Sequence, residues 1–220
     1  MPHSEAHLQD VPLRTLLSAM GEYLERHEPW PGIAQLIGDA ALVAPGDGAS
    51  LIPTCTCVPL DGMIDALQCD SDAPGARGAG SQRSSGGELT RVLQCVAVAA
   101  PELIWRQNPN YVDAAFLARY AYCELIGPAG HAFCSSLSAG LLYLAAETHY
   151  PPHAHPAEEA YHLLSGNSRW QQGDQPARWL APGARVLHPS GIAHSMYSGA
   201  QPMLALYLWR GDLGSAARLT

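Results

Sequence analysis

Between His153 and His194 the chain collects the side chains that metal chemistry uses. The run H-A-H-P-A-E-E-A-Y holds His153, His155, Glu159 and Tyr161, and the run P-S-G-I-A-H ends at His194. Three imidazoles and one carboxylate suit a divalent transition metal, and zinc, iron, manganese, cobalt and nickel all accept such a set. A phenol two residues beyond the carboxylate offers an acid or base beside it, and Tyr150, just ahead of His153, is a second one. A metal held this way keeps one or two positions open. It can act as a Lewis acid on a carboxylate, and a neighbouring tyrosinate can then take the α proton. Tyrosine is a poor base at neutral pH, so the cation must lower its pKa.

Strands must position these groups. Successive side chains on a strand alternate faces, so His153, His155, Glu159 and Tyr161 share a parity and point the same way if Pro156-Ala157 keeps the register. Glu158 and His162 are then expected to point outward as surface residues. His194 lies far enough along the chain for a strand to leave, turn near Gln172-Gly173-Asp174 and return alongside. After Gly127-Pro128 short apolar runs alternate with Gly, Pro, Asn and Asp, which predicts strands at 138–146, 159–165, 169–171, 184–188, 194–197 and 203–209. Six such strands suit a small antiparallel β-barrel.

The first half reads differently. Leu13, Leu16, Leu17, Met20 and Leu24 form the stripe of an amphipathic helix over 11–27, and similar patterns predict helices at 88–99 and 111–122. Residues 71–87 have almost nothing able to anchor in a core and read as a mobile loop. The expected organisation is a helical region over 1–130 followed by a β-barrel over 131–220. His149 and His188 lie near the site and read as partly exposed loop residues.

Composition narrows the function. The chain has 220 residues, 47% of them apolar, and a formal charge of −8, with arginine as its only cationic residue besides histidine. Nucleic-acid binding needs clustered cations, and none are found. The absence of lysine excludes Schiff-base chemistry by this chain's own residues. No apolar run reaches membrane-spanning length and the start lacks an export signal, so a cytoplasmic protein with no membrane partner is expected. The six cysteines form no C-x-x-C pair and read as reduced, mostly buried thiols. A homodimer is compatible with all of this.

The spacing matches the two motifs of the cupin superfamily. H-x-H-x3-E-x6-G is met by His153, His155, Glu159 and Gly166, and G-x5-P-x-G-x2-H by Gly183, Pro189, Gly191 and His194. Glu147 and Ser198 stand where those motifs often carry glycine and asparagine. More particular strings are Y-P-P-H-A-H-P-A-E-E-A-Y from Tyr150 to Tyr161 and L-W-R-G-D from Leu208. With them, residues 111–213 resemble the cupin-type dimethylsulfoniopropionate lyases, the DddL branch especially. The resemblance implies cleavage of this sulfonium carboxylate to dimethyl sulfide and acrylate by β-elimination. By carry-over, His153, His155, Glu159 and His194 hold one divalent metal, Tyr161 or Tyr150 removes the α proton, and the indole of Trp209 faces the sulfonium. Another cupin metalloenzyme, a dioxygenase or isomerase, and a non-catalytic cupin that binds a small acid are the alternatives.

Overall fold

The computed structural model describes residues 11–42 and 83–220. Helices α1 (Val11–His27), α2 (Ile33–Leu42) and α3 (Arg83–Ala99) come first. A short α4 (Ala114–Leu117) lies between strands β1 (Trp105–Arg106) and β2 (Tyr120–Gly127). The remaining strands are β3 (Ala132–Phe133), β4 (Ser138–Leu144), β5 (His149–Ala154), β6 (Glu158–Ser165), β7 (Ser168–Gln172), β8 (Arg178–Leu180), β9 (Arg185–His188), β10 (His194–Ser198), β11 (Met203–Arg210) and β12 (Arg218–Leu219).

Each of the six predicted strands is present within a residue or two of its expected ends. They lie in two sheets: a seven-stranded one in the order β1-β2-β4-β11-β6-β9, with β3 on β2, and a five-stranded one in the order β12-β5-β10-β7-β8. The sheets face each other as in a cupin, but no ladder among the described residues joins them into a closed barrel. Between them lies a core that includes Leu142, Leu144, Tyr161, Leu163, Trp170, Met196, Met203 and Tyr207.

The other face of the larger sheet is buried as well. Leu16, Leu17, Met20, Leu24, Val92 and Val96 from the helices pack there against Ala121, Cys123, Leu125, Leu141, Leu164 and Leu206. The predicted stripe of α1 is what docks, and burying such a side chain stabilises by about 1.5–3 kcal/mol. The result is three layers, helices on sheet on sheet.

Residues 111–122 are not one helix, because α4 stops at Leu117 and Tyr120 begins a strand. From there the face alternates: Tyr120 turns to the inter-sheet core, and Ala121 and Cys123 turn to the helices. The sheet therefore begins at Trp105, well before residue 130, and β2 is an inner strand. Of the expected loop at 71–87, residues 71–82 lie outside the described residues, while 83–87 open α3, whose Gly86 and Gly87 have no neighbour that a side chain would meet.

His162 points away from the inter-sheet core as alternation requires, yet it is fully buried, because helices cover that face. Its Nε2 lies 2.9 Å from Glu28 Oε2, and Arg185 donates to both Glu28 oxygens at 2.8 Å. Burial alone would raise the Glu28 pKa, but His162 and Arg185 outweigh it and bring the value down from 4.5 to about 2. This carboxylate thus fastens the helical layer to β6 and β9. Glu28→Ala is expected to cost about 3–5 kcal/mol, since it removes the hydrogen-bonding partner of both the Arg185 guanidinium and the buried His162 ring. Because the folded pKa is depressed, this contribution is complete above 4.5 and is lost as pH falls toward about 2. Melting curves of both proteins should converge in acid and separate above that window.

Candidate metal centre

Two cross-strand pairs build the site, one from each sheet. On β5 and β10, His153 is paired with His194, and on β6 and β9, Glu159 is paired with His188. On its other side Glu159 is paired with Trp209 of β11. His155 enters from the link between β5 and β6. The turn after β6 needs the glycine of the first motif: Gly166 has φ 72°, and a Cβ there would lie 2.3 Å from the carbonyl of Pro202.

Donor atoms of His155, Glu159 and His194 all lie within 4.8 Å of one another, and all three residues are buried. Nε2 of His155 is 2.9 Å and Nε2 of His194 3.1 Å from the same oxygen, Oε2 of Glu159. The opposite nitrogens are already committed. Nδ1 of His155 is 3.0 Å from the carbonyl of Ala157, Nδ1 of His194 3.0 Å from that of Ile192, and Nδ1 of His153 2.9 Å from that of Pro151. A carbonyl can only accept, so Nδ1 of each ring is the donor to it and Nε2 is the nitrogen left to face the site. Two such nitrogens therefore converge on one carboxylate oxygen, and His194 Nε2 has no aligned hydrogen-bond partner. That arrangement calls for a cation, and imidazole nitrogen with carboxylate oxygen is a borderline-soft donor set that fits a divalent transition metal.

His153 is adjacent but outside this tight cluster. Its ring lies 4.1 Å from that of His194 and 6.4 Å from that of His155, and it faces the cavity beside the site. Burial and the neighbouring His194 lower its pKa to about 3, so it is neutral at physiological pH. His188 is buried, not an exposed loop residue as expected, while His149 is exposed. The His188 ring stacks on His194 at 4.0 Å and 9°, with neither nitrogen hydrogen-bonded. Its position one residue before Pro189 of the second motif was the available signal.

Glu159 is held from the other side by Trp209, whose indole N–H donates to Oε1 at 2.5 Å and whose ring stacks on His155 at 4.1 Å. Burial would raise the Glu159 pKa, but His155 and His194 outweigh this and keep the carboxylate ionised.

The cavity next to these groups has a volume of about 230 Å³. His153, Glu159, Trp209 and both candidate tyrosines line it. Tyr161 lies two residues beyond Glu159 on the same face, near enough for that charge to act on its phenol, whereas the Tyr150 hydroxyl is 2.9 Å from that of Tyr111 and its ring stacks on His153 at 4.1 Å. Burial first, and then the neighbouring charge of Glu159, raises the Tyr161 pKa well above 10.0. Burial and the tyrosines around it do the same for Tyr150. Among the described residues Cys95, Cys123 and Cys134 are free thiols away from the site, and no helix is long and apolar enough to cross a membrane.

Two facing, largely antiparallel sheets that bring His153 and His194 from one and Glu159 from the other into the space between them, beside His155, define a cupin with a candidate metal centre. Residues 79–205 match the sequence profile of the dimethylsulfoniopropionate lyase family, and the chain belongs to that family. It is 45% identical over 118 residues to dimethylsulfoniopropionate lyase DddQ of Ruegeria pomeroyi, covering 53% of this chain and 59% of that protein. Identity to the putative lyase DddL of Cereibacter sphaeroides is 32% over 128 residues, covering 57% of this chain and 53% of that one. Both branches thus match, the DddQ relative at the higher identity. The matched segments span just over half the length of these relatives. A chain from the crystal structures of the DMSP lyases RdDddP and RnDddQII superposes with a TM-score of 0.70 at 26% identity, covering 96% of this chain and 99% of that one.

Proposed function

We propose that the protein is a metal-dependent carbon–sulfur lyase that cleaves dimethylsulfoniopropionate to dimethyl sulfide and acrylate. The observation that carries this reading is the convergence of His155, Glu159 and His194 beside a cavity into which Tyr161 projects. Family membership supports the substrate. His155, Glu159 and His194 would hold the metal, with His153 as a fourth ligand from the cavity side. When bound, the metal supplies a Lewis acid that takes the substrate carboxylate and acidifies the adjacent C–H.

The chain's own groups do the rest. Tyr161 is the base: as a phenolate it takes the α proton. The electron pair left behind forms the double bond between the α and β carbons while the bond from the β carbon to sulfur breaks. The leaving group is a neutral thioether, so no acid is needed. Glu159 sets the readiness of this base, because its negative charge keeps Tyr161 protonated until a cation offsets it. Tyr150, tied to Tyr111, forms the wall that orients the substrate.

Purified protein supplied with dimethylsulfoniopropionate, with and without each candidate metal, is expected to release dimethyl sulfide detectable by gas chromatography. Absence of product under every metal would overturn the proposal and return the site to another cupin activity.

A further inference from the structure

One buried carboxylate at the cavity is not used by this chemistry. Glu124 lies on β2, lines the same cavity as Glu159, and is 9% exposed. It is held in place deliberately: the Ser138 hydroxyl donates to its Oε1 at 3.2 Å and the Ala129 N–H at 3.4 Å. The loop after β2 is shaped around it. Gly127 has φ 150°, and a Cβ there would lie 1.8 Å from Glu124 Oε1, so only glycine leaves the carboxylate its place. Among the described residues no cation forms an ion pair with it. Burial raises its pKa against the hydrogen bonds from Ala129 and Ser138, and Arg106, which acts on it through space, donates to the carbonyl of Ala129. Keeping a carboxylate this buried is costly without a positive partner.

Register places it relative to the metal centre. Ser138, the donor to Glu124, is paired with Trp209, and Trp209 with Glu159. Two strand spacings, about 10 Å, therefore separate the backbones of Ser138 and Glu159. Tyr122 and Tyr207 line the same cavity, Tyr207 being paired with Gly140 and Gly140 in turn with Glu124, and the strand of Trp209 runs between those of Ser138 and Glu159. A short zwitterion with its carboxylate at the His155–Glu159–His194 cluster would then direct its other end toward Glu124.

We propose that Glu124, flanked by Tyr122 and Tyr207, is the counter-ion subsite for the permanently cationic end of the substrate and makes the cavity select onium carboxylates over neutral acids of the same shape. The proposal builds on the lyase reading by naming what recognises the sulfonium. A sulfonium has no N–H to satisfy, so charge and aromatic faces are the means of recognising it. Trp209 contributes a face, but its indole N–H is spent on Glu159, which leaves Glu124 as the charge.

An isosteric pair tests this. Affinities of metal-replete protein for 3-(trimethylammonio)propionate and for 4,4-dimethylpentanoate, which replaces the nitrogen by carbon, are measured by calorimetry. Wild type is expected to prefer the cationic acid, and Glu124→Gln, which keeps the Ser138 and Ala129 hydrogen bonds, to reduce that preference by about tenfold. KM for dimethylsulfoniopropionate should rise by a similar factor with kcat and metal content little changed. Equal affinity of wild type for both acids overturns the proposal without need of any variant, as does an unchanged preference in a folded Glu124→Gln protein. The preference without dimethyl sulfide release would sink the lyase reading and leave the subsite standing, and release without the preference would do the reverse.

Discussion

Tyr161→Phe is expected to lower turnover by about 10²–10⁴-fold, the range typical for loss of a positioned acid or base, while metal content stays at the wild-type level. The substitution removes one oxygen and keeps the ring, which packs against Trp170 at 5.0 Å and His188 at 6.0 Å. Stability should therefore change by only about 1 kcal/mol, the worth of a single hydrogen bond. Tyr150→Phe separates the two phenols. Its hydroxyl engages Tyr111 rather than Glu159, so its removal is expected to raise KM more than it lowers kcat. Steady-state kinetics beside elemental analysis and melting curves would decide the matter. If Tyr161→Phe retains turnover and Tyr150→Phe loses it, the base is Tyr150 and the role of Glu159 in restraining it must be given up.

The pH profile adds a check on the same assignment. Both hydroxyls are raised well above the ordinary tyrosine value, so a phenolate at neutral pH depends on a cation at Glu159. Rate should climb with pH through the pKa that this cation leaves on Tyr161, and the rising limb should vanish in the variant that lacks the base.

What the sequence disclosed and what it hid follow from how local each signal is. The candidate site residues were placed together by the sequence because strand alternation and motif spacing are short-range: His153, Glu159, Tyr161 and His194 are all brought to the inter-sheet space. The environment of these groups is non-local. Trp209 became the donor to Glu159 only once β11 paired with β6, and a tryptophan in an apolar strand carries no mark of its partner. His162 read as exposed because alternation tells which face a residue takes and not what covers that face. Here Glu28, far away in sequence, covers it. The helix expected at 111–122 failed for a different reason. Tyr120, Tyr122 and Glu124 alternate with Ala121 and Cys123, but a short stretch just behind α4 can be fitted to either period. Choosing the helical one concealed both β2 and the carboxylate at the end of the cavity.

His194→Ala is expected to lower metal affinity by well over the ~10–100-fold typical of losing a ligand's supporting hydrogen bond, because it removes a donor outright. Its effect should exceed that of His153→Ala. The reason is geometric: donor atoms of His155, Glu159 and His194 already lie within 4.8 Å of one another, and His153 is outside that group. Neither substitution exposes Glu159, whose Oε2 keeps His155 and whose Oε1 keeps Trp209. The fold should therefore survive, and the loss can be read directly from metal titration with a chelator as competitor. Stability gives an independent reading, since a ligand at 100 times its dissociation constant stabilises by about 2.7 kcal/mol. Wild type should melt lower in the presence of chelator, and His194→Ala should melt at one temperature with or without it. Equal losses in the two variants would make His153 a full ligand in the loaded protein, its ring turned from its present place beside Tyr150. A fully loaded His194→Ala protein would remove His194 from the metal set, and its unpartnered Nε2 would then need another explanation.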